Sequence, residues 1–235
     1  MDMQREQLEA REWELVDRIV VGSQFVADGL VGKGVDRSKI IVVPYGVDLN
    51  RFSWVKRRER ENQNDPLRVL FVGRVSVMKG IPSLLHALSV LGPQKVQARL
   101  VGGSAIKAHR IEEFRGVANF VGHVPRSSIL DHYRWADVLC FPSITEGSAA
   151  VTYEALATGL PVITTPNAGS IVRDGLDGFI VPIRSPEKLA EALQRYADDP
   201  ALLAAHQEQL RSGRERAGLE CYKRDIVKVV EDLGC

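Results

Sequence analysis

Two glutamates, Glu146 and Glu154, stand with seven residues between them in Glu146-Gly147-Ser148-Ala149-Ala150-Val151-Thr152-Tyr153-Glu154. Carboxylates so placed could flank a glycosidic bond as an acid/base pair, or accept hydrogen bonds from sugar hydroxyls. The surrounding residues favour the second chemistry. Apolar Val138–Phe141, bounded by Asp137 and Pro142, reads as a short buried parallel strand. Ser148 is suited to N-cap a following helix. The backbone N–H groups just after it would then lack intrahelical partners and, aided by the helix dipole, attract an anion. Gly159 and Pro161 would end that helix. At about 1.5 Å per residue, Glu154 would lie roughly 9 Å along the axis from Ser148. A ligand with phosphate at one end and a sugar at the other fits this separation. Ordinary exposed glutamates are the simpler alternative.

A second segment carries cations. Leu67-Arg68-Val69-Leu70-Phe71-Val72 reads as another buried strand and ends in Gly73-Arg74. Lys79 follows, just ahead of an amphipathic helix predicted over 82–91 with Pro82 in its first turn. A cation is unfavourable at a helix start unless something anionic is near. Arg74 and Lys79 at the carboxyl edge of a parallel sheet suggest an anion between them, since ligands of open α/β sheets bind at that edge and Arg can grip phosphate oxygens in pairs. Two solvated surface cations are the plainer explanation of this segment alone.

Together these segments resemble the family 4 retaining glycosyltransferases, which have the GT-B fold. The resemblance rests on Gly73-Arg74 with Lys79-Gly80, the Glu146 and Glu154 pair, and the continuation Ala155-Leu156-Ala157-Thr158-Gly159-Leu160-Pro161. It extends through Phe120-Val121-Gly122-His123-Val124, Ala136-Asp137-Val138, Phe141-Pro142-Ser143 and Asp177-Gly178-Phe179, with Pro44-Tyr45-Gly46-Val47-Asp48 at the start of the family's second domain. It implies transfer of a hexose from an NDP-sugar, UDP- or GDP-linked, to a sugar or lipid-linked acceptor with retention at the anomeric carbon. It also implies that no metal or other cofactor is required. Arg74 and Lys79 would hold the diphosphate, with Gly73 beside them. Glu154 would accept from the ribose hydroxyls. Glu146 and the backbone of Gly147, Ser148, Ala149 and Ala150 would meet the transferred sugar and distal phosphate. Val124 would lie beside the base. Gly102 and Gly103 would form a further close-approach loop, or a simple turn.

Two departures bear on the sugar pocket. Where many members carry Gly-Phe-Gly after the first glutamate, this chain has Gly147-Ser148-Ala149. The loop Thr165-Pro166-Asn167-Ala168-Gly169-Ser170-Ile171 holds no acid.

The expected architecture is α/β: a Rossmann-like three-layer domain with a parallel sheet, the C-terminal half of a GT-B fold. Strands are expected near 18–21, 40–43, 68–72, 98–101, 118–121, 138–141, 161–164 and 179–181. Residues 1–35 resemble the tail of a first Rossmann-like domain, 36–200 the donor-binding domain, and 201–235 closing helices that would cross toward the first domain. A missing N-terminal domain or a partner chain would then complete the cleft and its acceptor site. A non-catalytic nucleotide-sugar-binding module, or one chain of a two-part enzyme, stays open as an alternative. A glycoside hydrolase built on the two glutamates leaves Arg74 and Lys79 unexplained.

Composition sets the remaining bounds. With 31 Lys and Arg against 30 Asp and Glu in 235 residues, nothing argues for nucleic acid. No signal peptide or membrane-spanning run is visible, so the cytoplasm is expected, with a peripheral position at the inner membrane face as an option. The mixed charge run over 51–61 reads as a flexible surface loop. Cys140, Cys221 and Cys235 lack metal spacing, and Cys140 should be a buried thiol. His123 could approach the nucleotide or stabilise a turn.

Overall fold

The computed structural model describes residues 3–60 and 65–234. Residues 1–2 and 61–64 and Cys235 lie outside the described residues. Helix α1 (Met3–Leu15) leads into β1 (Ile19–Val21), α2 (Gln24–Gly32) and β2 (Ile40–Val42). Strands β1 and β2 pair only with each other, in parallel. Val21, Ala27, Val35 and Ile40 bury a small core of their own beneath them. The hydrogen-bonded unit at the start of the chain therefore runs past residue 35, because β2 satisfies its backbone against β1.

The main sheet follows. Its strands are β3 (Leu67–Val72), β4 (Val96–Val101), β5 (Ala118–Gly122), β6 (Val138–Phe141), β7 (Val162–Thr164) and β8 (Gly178–Ile180). All are parallel, in the order β5-β4-β3-β6-β7-β8. Every residue of β6 and β7 is buried, as strands covered on both faces must be. Right-handed crossovers place α3 (Ile81–Leu91) on one face and α5 (Ile129–Trp135) and α6 (Ala150–Ala157) on the other, and α7 (Pro186–Asp198), after the last strand, packs beside α3. Between α3 and α5 lies the short α4 (Ala108–Glu112), and the chain closes with α8 (Pro200–Gly213) and α9 (Leu219–Asp232). Leu67, Leu70, Phe71, Leu84, Leu88, Leu100 and Leu139 are fully inaccessible and form the centre of the core. Cys140 is buried among them, as expected. On α9, by contrast, Val227, Val230 and Leu233 remain exposed.

The chain builds β3, β4 and β5 outward on one side, then returns to start β6 on the other side of β3. That reversal opens a crevice beyond the carboxyl ends of β3 and β6. Two glycines let the loops there close on one another. A Cβ on Gly80 would lie 1.9 Å from the Pro142 carbonyl oxygen, and one on Gly102 would lie 2.0 Å from that of Gly73. Both glycines have positive φ.

Residues 54–60 are not the flexible surface loop that their charge suggests; they form an ordered strap. The Trp54 ring lies over Gly159, where a Cβ would come within 2.4 Å of it. Arg57 and Arg60 are each only 8% exposed. Arg60 donates to the Tyr196 and Ala197 carbonyls at the end of α7, and Arg57 to carbonyls ending α5 and α6. Arg58 grips buried Asp137 at 2.7 and 3.0 Å. Helix C-termini present carbonyls without intrahelical donors, and guanidinium groups supply planar sets of donors, so the charges turn inward. Most of the basic patch available for a membrane surface is consumed by this bonding. Among the described residues, no helix is long and apolar enough to cross a membrane.

Candidate functional site

The crevice holds a groove of about 780 Å³. Gly73 and Arg74 after β3, Gly102 and Gly103 after β4, Val124 after β5, and Glu154 on α6 all line it. Six residues singled out from sequence, Gly73, Arg74, Gly102, Gly103, Val124 and Glu154, thus meet across three loops and one helix. His123 lies on the same wall. Arg74 is exposed and makes no hydrogen bond or ion pair with any described residue. Gly102 earns its place by backbone approach: it is pressed against Gly73, and its N–H donates to the Gly122 carbonyl at 2.8 Å.

Glu154 faces the groove from the middle of α6, half-buried. The hydroxyl of fully buried Tyr133 donates to its Oε2 at 2.6 Å. Burial raises the Glu154 carboxyl above its ordinary value of 4.5, while the Tyr133 hydrogen bond and the charges of Arg51 and Arg126 pull the other way. Tyr133 itself is held well above 10 by burial and by the neighbouring carboxylate. The second carboxylate oxygen, Oε1, makes no hydrogen bond with any described residue. The arrangement therefore places an oriented acceptor in a groove that is also lined by a guanidinium with no partner among the described residues.

Lys79, Glu146 and the residues after Glu146 form the neighbouring rim. Lys79 does not stand open beside Arg74; its Nζ pairs directly with Glu146 Oε1. The Ser143 hydroxyl also donates to Glu146 Oε1, at 3.0 Å. Ile144 N–H donates to the Met78 carbonyl at 2.9 Å, and the Ser143 hydroxyl oxygen lies 3.2 Å from that same carbonyl, stitching the β3 and β6 loops together. Glu146 does not line the groove that Glu154 lines, which argues against an acid/base pair around one bond.

Ser148 is not the N-cap. Helix α6 starts at Ala150, and the capping residue is Ala149, which makes no side-chain cap bond. The Ala149 N–H donates to the Ala168 carbonyl at 3.1 Å, which holds Ala149 extended and delays the helix by a residue. Ala149 is therefore a buried prop and offers no donor to a ligand. The Ser148 hydroxyl donates to the Gly169 carbonyl at 3.0 Å and lies 2.8 Å from the Tyr153 hydroxyl. The N–H groups of Gly147, Ser148 and Ala150 have no acceptor among the described residues. Ser23, at the start of α2, donates its hydroxyl to the Gly147 carbonyl at 2.5 Å, so the first small sheet braces this loop.

Arg51, Arg126 and Tyr133 escaped the sequence reading. Arg51 and Arg126 line the groove, and Arg51 donates to the Arg126 carbonyl at 3.1 Å. Both sit in irregular segments where no periodicity points to them. Tyr133 looks like an ordinary core residue of a helix. Among the described residues, no group of three or more His, Cys, Asp or Glu side chains could hold a metal ion.

Comparison with known proteins agrees with this geometry. The family model described as glycosyl transferases group 1 matches residues 66–199. A D-inositol 3-phosphate glycosyltransferase of Geodermatophilus obscurus is 31% identical over 91% of this chain and 51% of its own length. The chain thus spans about half the length of that curated relative. Among solved structures, sucrose-phosphate synthase from Thermosynechococcus elongatus superposes with a TM-score of 0.79 at 26% identity, over 99% of this chain and 62% of that one. Anabaena HepE, in complex with UDP and glucose, gives 0.75 at 20% identity, over 92% and 63%. The three-layer α/β fold with its six-stranded parallel sheet is that of GT-B glycosyltransferases.

Proposed function

The chain belongs to the group 1 glycosyl transferases, and on that premise we propose that it binds the nucleoside-diphosphate end of an NDP-sugar donor. The single observation that carries this reading is the groove at the β3/β6 reversal, lined both by Arg74, which has no partner among the described residues, and by the Tyr133-oriented Glu154 carboxylate. Arg74 grips the diphosphate, and Glu154 accepts from the ribose hydroxyls through its unengaged oxygen. Val124 lies beside the base. The open N–H groups of Gly147, Ser148 and Ala150 face the distal phosphate and the sugar.

The reaction proposed is hexose transfer to a sugar or lipid-linked acceptor with retention at the anomeric carbon. The name of the curated relative adds a phosphorylated polyol to the acceptor classes to be tried. The chain contributes positioning of the donor and stabilisation of the leaving diphosphate. Arg74 and the α6 start meet that developing charge, with no metal required in this reading. Lys79 and Glu146 form a paired unit at the sugar end, where Lys79 adds positive charge as the phosphate arrives. A second domain or partner chain supplies the acceptor side and closes over the sugar. HepE holds UDP, so a uracil nucleotide is the first ligand to test.

Amide NMR mapping of added UDP checks the reading. Shifts concentrated at Gly73, Arg74, Gly102, Val124 and Glu154 are expected. Shifts elsewhere, with these amides unmoved, would remove the groove from the donor site. A binding module, or one half of a two-part enzyme, gives the same map but transfers sugar only when the partner polypeptide is added.

A further inference from the structure

The strap over residues 54–60 contains a buried cation with an unusual bonding pattern. Arg57 is 8% exposed and forms no ion pair with a carboxylate among the described residues. Its Nη1 donates to the carbonyls of Tyr133 and Ala136, and its Nη2 to the carbonyl of Thr158. Tyr133 lies in the last turn of α5, and Ala136 is its C-cap; Thr158 is the C-cap of α6. One guanidinium thus spans the negative ends of two helix dipoles. Those two helices carry the two members of the Tyr133–Glu154 hydrogen bond. The Thr158 carbonyl also receives the Val55 N–H at 3.3 Å, so the strap is fixed to α6 by its backbone as well.

We propose that Arg57 is a positioning residue for the donor site: by joining the C-terminal carbonyls of α5 and α6, it sets the distance at which Tyr133 orients Glu154. The inference rests on the reading of Glu154 as the ribose acceptor. Burial costs the guanidinium much of its hydration, which a three-carbonyl clamp offsets in part; the Nε remains without a partner. A residue needed only to seat the strap could keep any cap-like contact to one helix. Arg57 contacts both helices, and it bonds the backbone of the very tyrosine that holds Glu154. A lysine would offer one compact ammonium in place of the planar fork and could not span both helix ends.

The test is a mutant cycle on the whole chain, read by calorimetry with UDP. Arg57→Met is expected to weaken UDP binding by about 5- to 10-fold, and Arg57→Met with Glu154→Ala to bind no more weakly than Glu154→Ala alone. Losses that multiply independently, or unchanged affinity in Arg57→Met, would overturn the positioning role. Should Glu154→Ala itself leave UDP affinity unchanged, the ribose reading fails. The Arg57 inference is then judged without ligand, from the carboxyl NMR titration of Glu154. Tyr133→Phe should raise the Glu154 midpoint in the otherwise native chain and have no further effect in an Arg57→Lys background. An equal shift in both backgrounds would refute the inference. Arg57→Lys also serves in the UDP cycle if Arg57→Met does not fold.

Discussion

The hydroxyl of Tyr133 on α5 donates to Oε2 of Glu154 on α6 at 2.6 Å, from a position with no solvent access. This bond fixes one oxygen of a carboxylate that lines the groove and leaves the other without a partner among the described residues. Removing the carboxylate removes a charged acceptor from the ligand's hydroxyls. Glu154→Ala should therefore weaken UDP binding by about 1–3 kcal/mol, measured by calorimetry. Tyr133→Phe should lose about 1 kcal/mol, because the acceptor survives and only its orientation relaxes. Unchanged affinity in Glu154→Ala would take that residue out of the site.

The protonation state of Glu154 gives the same site a pH dependence. Burial raises its carboxyl above 4.5 in the folded protein. Only the carboxylate accepts from both ribose hydroxyls, so UDP affinity should fall as pH drops through that raised midpoint and level off above it. The terminal phosphate of UDP titrates near about 6 and adds its own slope. Comparison with Glu154→Gln cancels the phosphate contribution. The difference between the two proteins should shrink as pH falls. A constant difference at all pH values would contradict the assignment.

Arg74 and Glu154 should respond differently to truncated ligands. Arg74→Ala is expected to cost UDP about 1.5–3 kcal/mol and uridine almost nothing, since a charged hydrogen bond to phosphate is lost. Parallel titrations with UDP and uridine decide this. Equal losses for the two ligands would rule out a phosphate role.

Two adjacent glycines should behave unequally. A Cβ on Gly102 would lie 2.0 Å from the Gly73 carbonyl oxygen at a φ of +137°, whereas one on Gly103 meets nothing within 4 Å. Gly102→Ala should lower stability by about 1–3 kcal/mol and blunt UDP binding, as the β3 and β4 loops are forced apart. Gly103→Ala should stay within about 0.5 kcal/mol in urea denaturation. Equal effects would show that the loops yield freely.

A last prediction concerns the frame behind the site. Asp177 is inaccessible and pairs with Arg173 and Arg216. Its carboxyl lies below the ordinary 3.8, held down by hydrogen bonds from Arg173 and by the Arg216 and Arg173 charges against the cost of burial. The native state therefore prefers the ionised form. This contribution is fully present above the unfolded value near 3.8 and is lost as pH falls below it toward the folded value. Asp177→Asn should lose about 3 kcal/mol in urea denaturation at neutral pH, the lower end for a broken buried pair because both arginines keep some solvent contact. A loss under 1 kcal/mol, or acid sensitivity unchanged between the two proteins, would count against it.

Most of the strand framework is legible in the sequence. Short apolar runs such as Val138–Phe141 and Val162–Thr164 have no alternative but burial in a parallel sheet, and they fall where expected. The glycine- and cation-bearing loop after β3 and the helix carrying Glu154 follow from the same local signals. What escaped depends on partners remote in sequence. Arg57 and Arg60 belong to a charge run that reads as loop, and only the fold reveals helix-ending carbonyls 76 to 137 residues away for them. Ser148 has the chemistry of an N-cap, but the Ala168 carbonyl captures Ala149 and moves the helix start. Lys79 and Glu146, read separately as a phosphate ligand and a sugar ligand, turn out to neutralise each other across the two loops. Arg51 and Arg126 reach the groove from irregular segments that carry no periodic signature.

On this reading, the groove lined by the loops after β3, β4 and β5 and by α6 binds a nucleoside diphosphate without a metal. Calorimetric titration of the chain with UDP, GDP and ADP, in the absence and presence of magnesium, tests it most directly. The account predicts saturable one-to-one binding of one nucleotide, with UDP the leading candidate, at an affinity that magnesium leaves within about twofold. That result would be abolished together by Arg74→Ala and Glu154→Ala. Absence of binding by all three nucleotides, or binding that appears only with magnesium, would contradict it.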